Sequence, residues 1–325
     1  MKKKIKNKFQ VAGLLISVVL AIYALSLILL LVWALWNSLK TGDEFLLFRN
    51  RLFGLPNMKR PTPPGALSAK EALSFGYYKE ILFGDNIKFH SIDAGYYSLF
   101  GEVENNPDKT FTFADFFFNS FMYSIVCSLV HTLVAFACAY LCAKYKFRFS
   151  EFIYVLMIIV MAIPIVGSSA SMMSVLQNLS IYDTIFAMIL LNFNFTGIYF
   201  FVFHAHFSGL SNTYMEAAEI DGASQLGIFF KIMFPLGSKV FFTVFLLQFV
   251  QTWNDYQTPF LYYPNHPTLS YAIFKMNRAS DGDMNKQNIP AMIAGCMILA
   301  IPIFTVFVAF NKVLMGNLTM GGLKE

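Results

Sequence analysis

The side chains of this chain that could do chemistry are few and fall in two places. Gln248, Gln251 and Asp255 recur at i, i+3 and i+7 inside an apolar run, which puts two amides and a carboxylate on one helix face. Trp253, Asn254 and Tyr256 flank them, and aromatic planes beside amide and carboxylate groups suit the hydroxyls and C–H faces of a sugar. Polar side chains on an apolar helix avoid lipid, so this face looks either into a wet pathway or onto another helix to which it hydrogen-bonds. The residues alone leave both open. Asn192 and Asn194 are weaker candidates for the same lining, as are Ser168, Ser169 and Ser171 after the kink-forming Pro164, although tight packing explains the serines better. The second place is a polar stretch beginning at Ser211, in which Glu216, Ala217 and Ala218 precede Gly222.

Enzyme chemistry has nothing to stand on. No Ser/His/Asp, Cys/His or H-E-x-x-H arrangement occurs, and the carboxylates lie mostly in loops. Cys127, Cys138, Cys142 and Cys296 all fall in apolar segments, where cysteine behaves as a small hydrophobe. Neither a metal site, a disulfide framework nor a cofactor is implied. His131, among apolar residues, reads as a hydrogen-bonded interior group rather than a ligand. The sequence also lacks G-x-x-x-x-G-K-[ST], the loop whose backbone donors cradle nucleotide phosphates.

The elements that must position these residues are membrane helices. Of the 325 residues, 57% are hydrophobic and 13% charged, with a mean hydropathy of +0.56, whereas soluble domains carry about 25% charge. A span needs roughly 20 apolar residues, and six runs qualify: Val11 to Trp36, Phe116 to Ala143, Phe152 to Leu176, Thr184 to Phe207, Val240 to Tyr262 and Ile289 to Leu314. The first exceeds a signal-peptide core of about 7 to 15 residues and reads as a retained anchor. The net charge of +5 comes largely from Lys2, Lys3, Lys4, Lys6 and Lys8, which argues against a nucleic-acid face. With Lys144, Lys146 and Arg148 after the second run, these lysines put both termini in the cytoplasm by the positive-inside bias. Lys275, Arg278 and Lys286 in an outer loop are a mild conflict with that assignment.

The expected fold is therefore an all-α polytopic membrane protein of six helices. Residues 1–40 hold the N-terminus and first helix, 41–112 form an extracytoplasmic insertion, and 113–325 form the core, with a cytoplasmic helix pair at 211–236 and a tail at 316–325. The insertion carries enough aromatics for a small ordered cap, with Pro61, Pro63 and Pro64 marking a stiff stretch.

The segment from Ser211 reads as two short helices. Thr213 and Glu216 fit a capping box, and Gly222 suits the left-handed residue that ends a helix. Leu226, Phe229, Phe230 and Met233 fall at i, i+3, i+4 and i+7 as one apolar stripe, and Pro235 marks entry to the fifth span. Such a pair suits docking in a groove on another protein, or lying on lipid headgroups. The residues do not decide between these.

Glu216-Ala217-Ala218, three residues, Gly222, nine residues, Ile232, one residue, then Phe234-Pro235 resembles the EAA loop of binding-protein-dependent ABC importer permeases, with Phe234 where leucine is usual. The likeness covers about residues 9–40 and 113–325. It is nearest the sugar permeases of the maltose-transporter type, by Trp253-Asn254-Asp255-Tyr256 and the tail with Gly321 and Gly322. It implies that the loop docks in a cleft of an ATPase subunit, with Glu216, Ala217, Ala218, Gly222, Leu226, Phe229, Phe230, Met233 and Pro235 at that contact, and that Gly321 and Gly322 make a second one. The partners implied are a second permease, two ATPase subunits, an extracytoplasmic sugar-binding protein and a carbohydrate, in a bacterial cytoplasmic membrane. Two rival classes remain: an ion-coupled carrier using Asp255, and a non-transporting receptor whose cap does the binding.

Overall fold

A computed structural model of the chain describes residues 2–40, 76–83, 111–145, 148–163, 167–278 and 289–318, all of it helix or connecting turn. Most of the expected cap, Pro164, residues 279–288 and the tail with Gly321 and Gly322 lie outside the described residues. The elements are α1 (Lys2–Ser38), α2 (Gly76–Phe83), α3 (Phe113–Lys144), α4 (Arg148–Ala162), α5 (Ser169–Asn178), α6 (Ile185–Asn192) and α7 (Ile198–Ser208). Then follow α8 (Thr213–Ile220), α9 (Gln225–Ile228), a π-helical turn (Phe229–Met233), α10 (Phe234–Asn254), α11 (Gln257–Tyr262), α12 (Leu269–Arg278) and α13 (Ile289–Leu318).

The chain divides into two units, one holding α1, α2 and Lys275–Ile301, the other Asn86–Phe274 with Pro302–Glu325. In the first, every side chain from Gly13 to Val32 is exposed. A helix apolar all round is at home in lipid. Near its end Ser38 Oγ meets Tyr78 Oη at 2.7 Å, and Lys40 Nζ donates to Asn37 Oδ1 at 2.9 Å.

Among the described residues, four helical stretches are long and apolar enough to cross a bilayer: Gly13–Ser38, Phe113–Lys144, Gln225–Asn254 and Ile289–Phe310. The third and fourth expected spans are each broken in two. α4 and α5 part around Gly167, which takes φ +83°, and α6 and α7 part around Gly197, at φ +127°. Only glycine occupies such backbone without strain. At the second break Asn194 Nδ2 donates to the Leu191 carbonyl at 3.1 Å, a backbone acceptor that the missing helical ladder leaves open, and Asn194 Oδ1 accepts from Thr196 Oγ1 at 3.3 Å.

The core of the second unit is α3, sandwiched by α7 and α10. A row of small residues on α3, Ser120, Ser124, Ser128 and Thr132, is buried at i+4 spacing, and small side chains let membrane helices approach closely. Lower on the same helix, fully buried Phe136 stands edge-on to Phe203, Phe207, Phe229, Phe234 and Phe241. A Cβ on Gly237 would lie 2.8 Å from the Phe136 ring, so glycine there sets how near α10 comes to α3. Thr112 opens α3 with a reciprocal cap: Asp115 N donates to Thr112 Oγ1, and Asp115 Oδ2 accepts from Thr112 N at 2.8 Å.

Candidate functional site

The helix pair lies at the end of α3 where Tyr140 and Lys144 emerge. α8 ends in a Schellman motif, with Ala223 N donating to Ala218 O at 2.9 Å and Gly222 N to Glu219 O at 3.0 Å. Gly222 takes φ +75°, as the sequence expects of it. The capping box expected of Thr213 and Glu216 does not form. Asn212 holds the cap position without a side-chain cap bond, and Thr213 Oγ1 instead meets Ser211 Oγ at 2.8 Å. Residue 212 has helical backbone angles, whereas a capping side chain works from an extended residue.

A second correction concerns the stripe. Met233 is fully buried and Phe229 half-buried, while Leu226 and Phe230 are 72% and 63% exposed. The π turn adds a residue to one helical turn and rotates everything after it, so i and i+7 no longer share a face. Ile228 fills the core instead. The turn ends two residues before Pro235, whose ring clashes with the carbonyl of an ordinary preceding helical turn. α9, the π turn and α10 are thus one continuous rod, so Pro235 falls inside it and does not separate the second short helix from the fifth span.

Ala218 belongs to the buried core cluster, and with Ala217 it borders an open groove of about 500 Å³ that also touches Tyr214, Asp221 and Ile232. With Ile220 at 87% exposed and Tyr214, Leu226 and Phe230 beside it in sequence, the pair carries large apolar side chains left exposed among the described residues.

The polar face is brought together elsewhere. Tyr123 of α3, Asn192 of α6, and Gln248, Gln251, Thr252 and Asp255 of α10 and its end line a cavity of about 440 Å³. Asp255 lies one residue past α10. Its Oδ2 accepts from Tyr123 Oη at 2.9 Å, and its Oδ1 from the backbone N–H groups of Gln257 and Thr258 at 2.9 and 3.1 Å. Three of a carboxylate's roughly four acceptor positions are taken, which makes it a joint tying α3 to the start of α11. Ser128 Oγ donates to Thr252 Oγ1 at 3.3 Å just beneath.

Four expected lining residues are not at this cavity. Trp253 is buried and packs edge-on to Phe117 at 5.9 Å, because position 253 faces α3 rather than the polar side of α10. Asn254 turns its amide back to the Val250 carbonyl at 2.8 Å, and Tyr256 stacks on Phe274 at 4.2 Å. Asn194 serves the helix break described above. Tyr123, which the spacing of polar residues on α10 could not reveal, is added, together with Thr252, Thr258 and Tyr262. His131 is nearly buried and edge-on to Tyr199.

Outside the spans, Asp183 joins two connecting turns. Its carboxylate accepts from Asn265 N and Nδ2 at 3.1 and 2.6 Å, and Tyr263 stacks on His266 at 4.2 Å. Burial pushes the Tyr263 phenol up from its ordinary pKa, and the charges of Asp183 and Cys127 add to the rise.

Fold and site together define a polytopic helical membrane component with a polar cavity and an uncovered helix pair. Residues 108–318 match the family described as binding-protein-dependent transport system inner membrane component, and the chain belongs to that family. It is 25% identical over 208 residues to the arabinooligosaccharides transport system permease protein AraQ of Bacillus subtilis (strain 168), covering 64% of this chain and 73% of that protein. It is 29% identical over 182 residues to AraQ of Halalkalibacterium halodurans, covering 56% of this chain and 64% of that one. In fold it is similar to a chain of a bacterial ABC transporter involved in the import of the acidic polysaccharide alginate, at TM-score 0.64 and 18% identity, covering 93% of this chain and 96% of that one.

Proposed function

We propose that this chain is one of two membrane subunits of a bacterial ATP-driven carbohydrate importer, with hydrolysis on separate ATPase subunits. The observation that carries the reading is the uncovered apolar surface of the helix pair, Tyr214, Ile220, Leu226 and Phe230, on a chain of this family without a phosphate-binding loop. Large apolar patches on a protein mark surfaces that a partner covers. An ATPase subunit is that partner here. Glu216, Ala217 and Gly222 lie at the contact, and the tail with Gly321 and Gly322 makes a second one. Both termini are cytoplasmic.

Asn192, Gln248 and Gln251 offer amide donors and acceptors to sugar hydroxyls in the cavity, and a second permease closes the other side of the pathway. An extracytoplasmic sugar-binding protein delivers the carbohydrate to the outer loops from Tyr263 to Asn288 and to residues 41–112. ATP-driven closure of the ATPase pair moves the helix pair and swings the spans between inward and outward opening. The engagement of Asp255 in three hydrogen bonds speaks against its carrying a proton across the membrane.

The test is to purify the chain from its native membrane with whatever polypeptides accompany it, reconstitute the complex in vesicles, and follow labelled arabino-oligosaccharides and raffinose. Uptake that requires ATP and the binding protein is expected. Uptake driven by a proton or sodium gradient without ATP overturns the reading, and so does normal sugar uptake by cells lacking the chain.

A further inference from the structure

We propose that α3 is the rod that carries movement from the cytoplasmic helix pair to the cavity, and that Lys144 is the positioning residue that clamps it there. This rests on the functional reading above. Lys144 is buried at the last turn of α3, and its Nζ donates to the Leu210 carbonyl at 2.6 Å and to Asn212 Oδ1 at 3.0 Å. Among the described residues no carboxylate lies within ion-pair distance of it. A buried ammonium held only by neutral oxygens is expensive to keep in place, and both its partners sit where the chain leaves α7 and enters α8.

Asn212 shows what the clamp displaces. It occupies the N-cap of α8, where its side chain would ordinarily accept from that helix's own free N–H groups. It makes no such bond, and its Oδ1 is given to Lys144. The adjacent Tyr145 donates to Gln225 Oε1, and Gln225 Nε2 donates to Glu219 Oε1 at 2.8 Å. One end of α3 therefore grips both α8 and α9.

The other half of α3 reaches the cavity. Tyr123 lies 21 residues earlier, about 32 Å along the helix at 1.5 Å per residue, and bonds Asp255, while Ser128 bonds Thr252. Between these contacts α3 has neither glycine nor proline and no break. The other two routes out of the helix pair are less regular. α10 is reached through the π turn, and α7 leads to the break at Gly197. α3 is thus the route that joins the pair to the cavity wall by regular α-helix throughout.

The experiment compares wild type, Lys144→Met and Lys144→Arg in the reconstituted complex, measuring sugar uptake and ATP hydrolysis in the same vesicles. Coupling free energies between sites are commonly worth about 5- to 150-fold. Lys144→Met is expected to lower sugar moved per ATP hydrolysed by at least about 5-fold, and Lys144→Arg, which still donates to both oxygens, to restore most of it. Asn212→Ala, which removes one bond and leaves the lysine in place, should lower the ratio in the same direction and serves if Lys144→Met does not assemble. Uptake and hydrolysis that fall together with their ratio unchanged in these variants overturn the clamp. A wild-type complex that moves sugar without ATP defeats the functional reading itself.

Discussion

Replacing Gly222 separates the backbone requirement at the end of α8 from any side-chain contact there. The residue takes φ +75°, and a Cβ built on it meets nothing within 4 Å. Gly222→Ala therefore costs only the left-handed backbone, roughly 1–2 kcal/mol for a residue with a Cβ, which lowers the population of the closed helix end about 5- to 30-fold. Gly222→Pro is worse in three ways. The ring fixes φ near −65°, about 140° from what the turn needs; it removes the N–H that donates to the Glu219 carbonyl; and it biases Asp221 away from helical angles. A loss of at least about 3 kcal/mol follows, more than a hundredfold in population. ATP-driven uptake by reconstituted complexes, normalised to inserted protein, should rank glycine above alanine above proline. Full uptake by Gly222→Pro would refute the view that this turn presents α8 to a partner. Alanine as damaging as proline would show that a side-chain clash matters, against the open space seen around the position.

Leu226→Ser with Phe230→Ser removes exposed apolar surface while leaving the core intact, so the pair should weaken co-purification of the ATPase subunit without lowering the melting temperature; unchanged association would disprove the docking role. Gly237→Ala drives a Cβ to 2.8 Å from a ring that five other aromatics hold in place, an overpacking that should cost about 1–3 kcal/mol and lower the melting temperature in detergent. Asp255→Asn keeps the shape but loses a charge-assisted joint to Tyr123 and two backbone N–H groups; it should reduce uptake while leaving its ATP requirement and its independence of a proton gradient unchanged, whereas a changed dependence on external pH would point to proton coupling.

Local sequence was informative where the physical cause is local. Gly222 ends α8 because a left-handed residue needs no Cβ, and Gln248 and Gln251 share a face because a helix brings positions three apart to one side, whereas Asp255 joins them from extended backbone just past the helix. The reciprocal cap forms at Thr112 and Asp115 and not at Thr213 and Glu216. Both pairs have the residue types, but only at Thr112 is the backbone extended, and Lys144 draws the Asn212 side chain away from α8. The fourfold row Ser120, Ser124, Ser128 and Thr132 was a legible signal for close helix packing and would have placed α3 at the centre.

Hydropathy determined by itself that this chain lives in a membrane, since no arrangement of so apolar a sequence could hide enough surface from water. The spacing from Glu216 to Gly222 likewise determined where the first short helix ends. Tertiary structure alone decided which aromatic faces the cavity, because Trp253 and Tyr123 sit on different helices and only their packing turns one inward and the other toward Asp255. It also decided that the apolar stripe divides, because the π turn changes the helical phase by an amount no fixed period in the sequence contains.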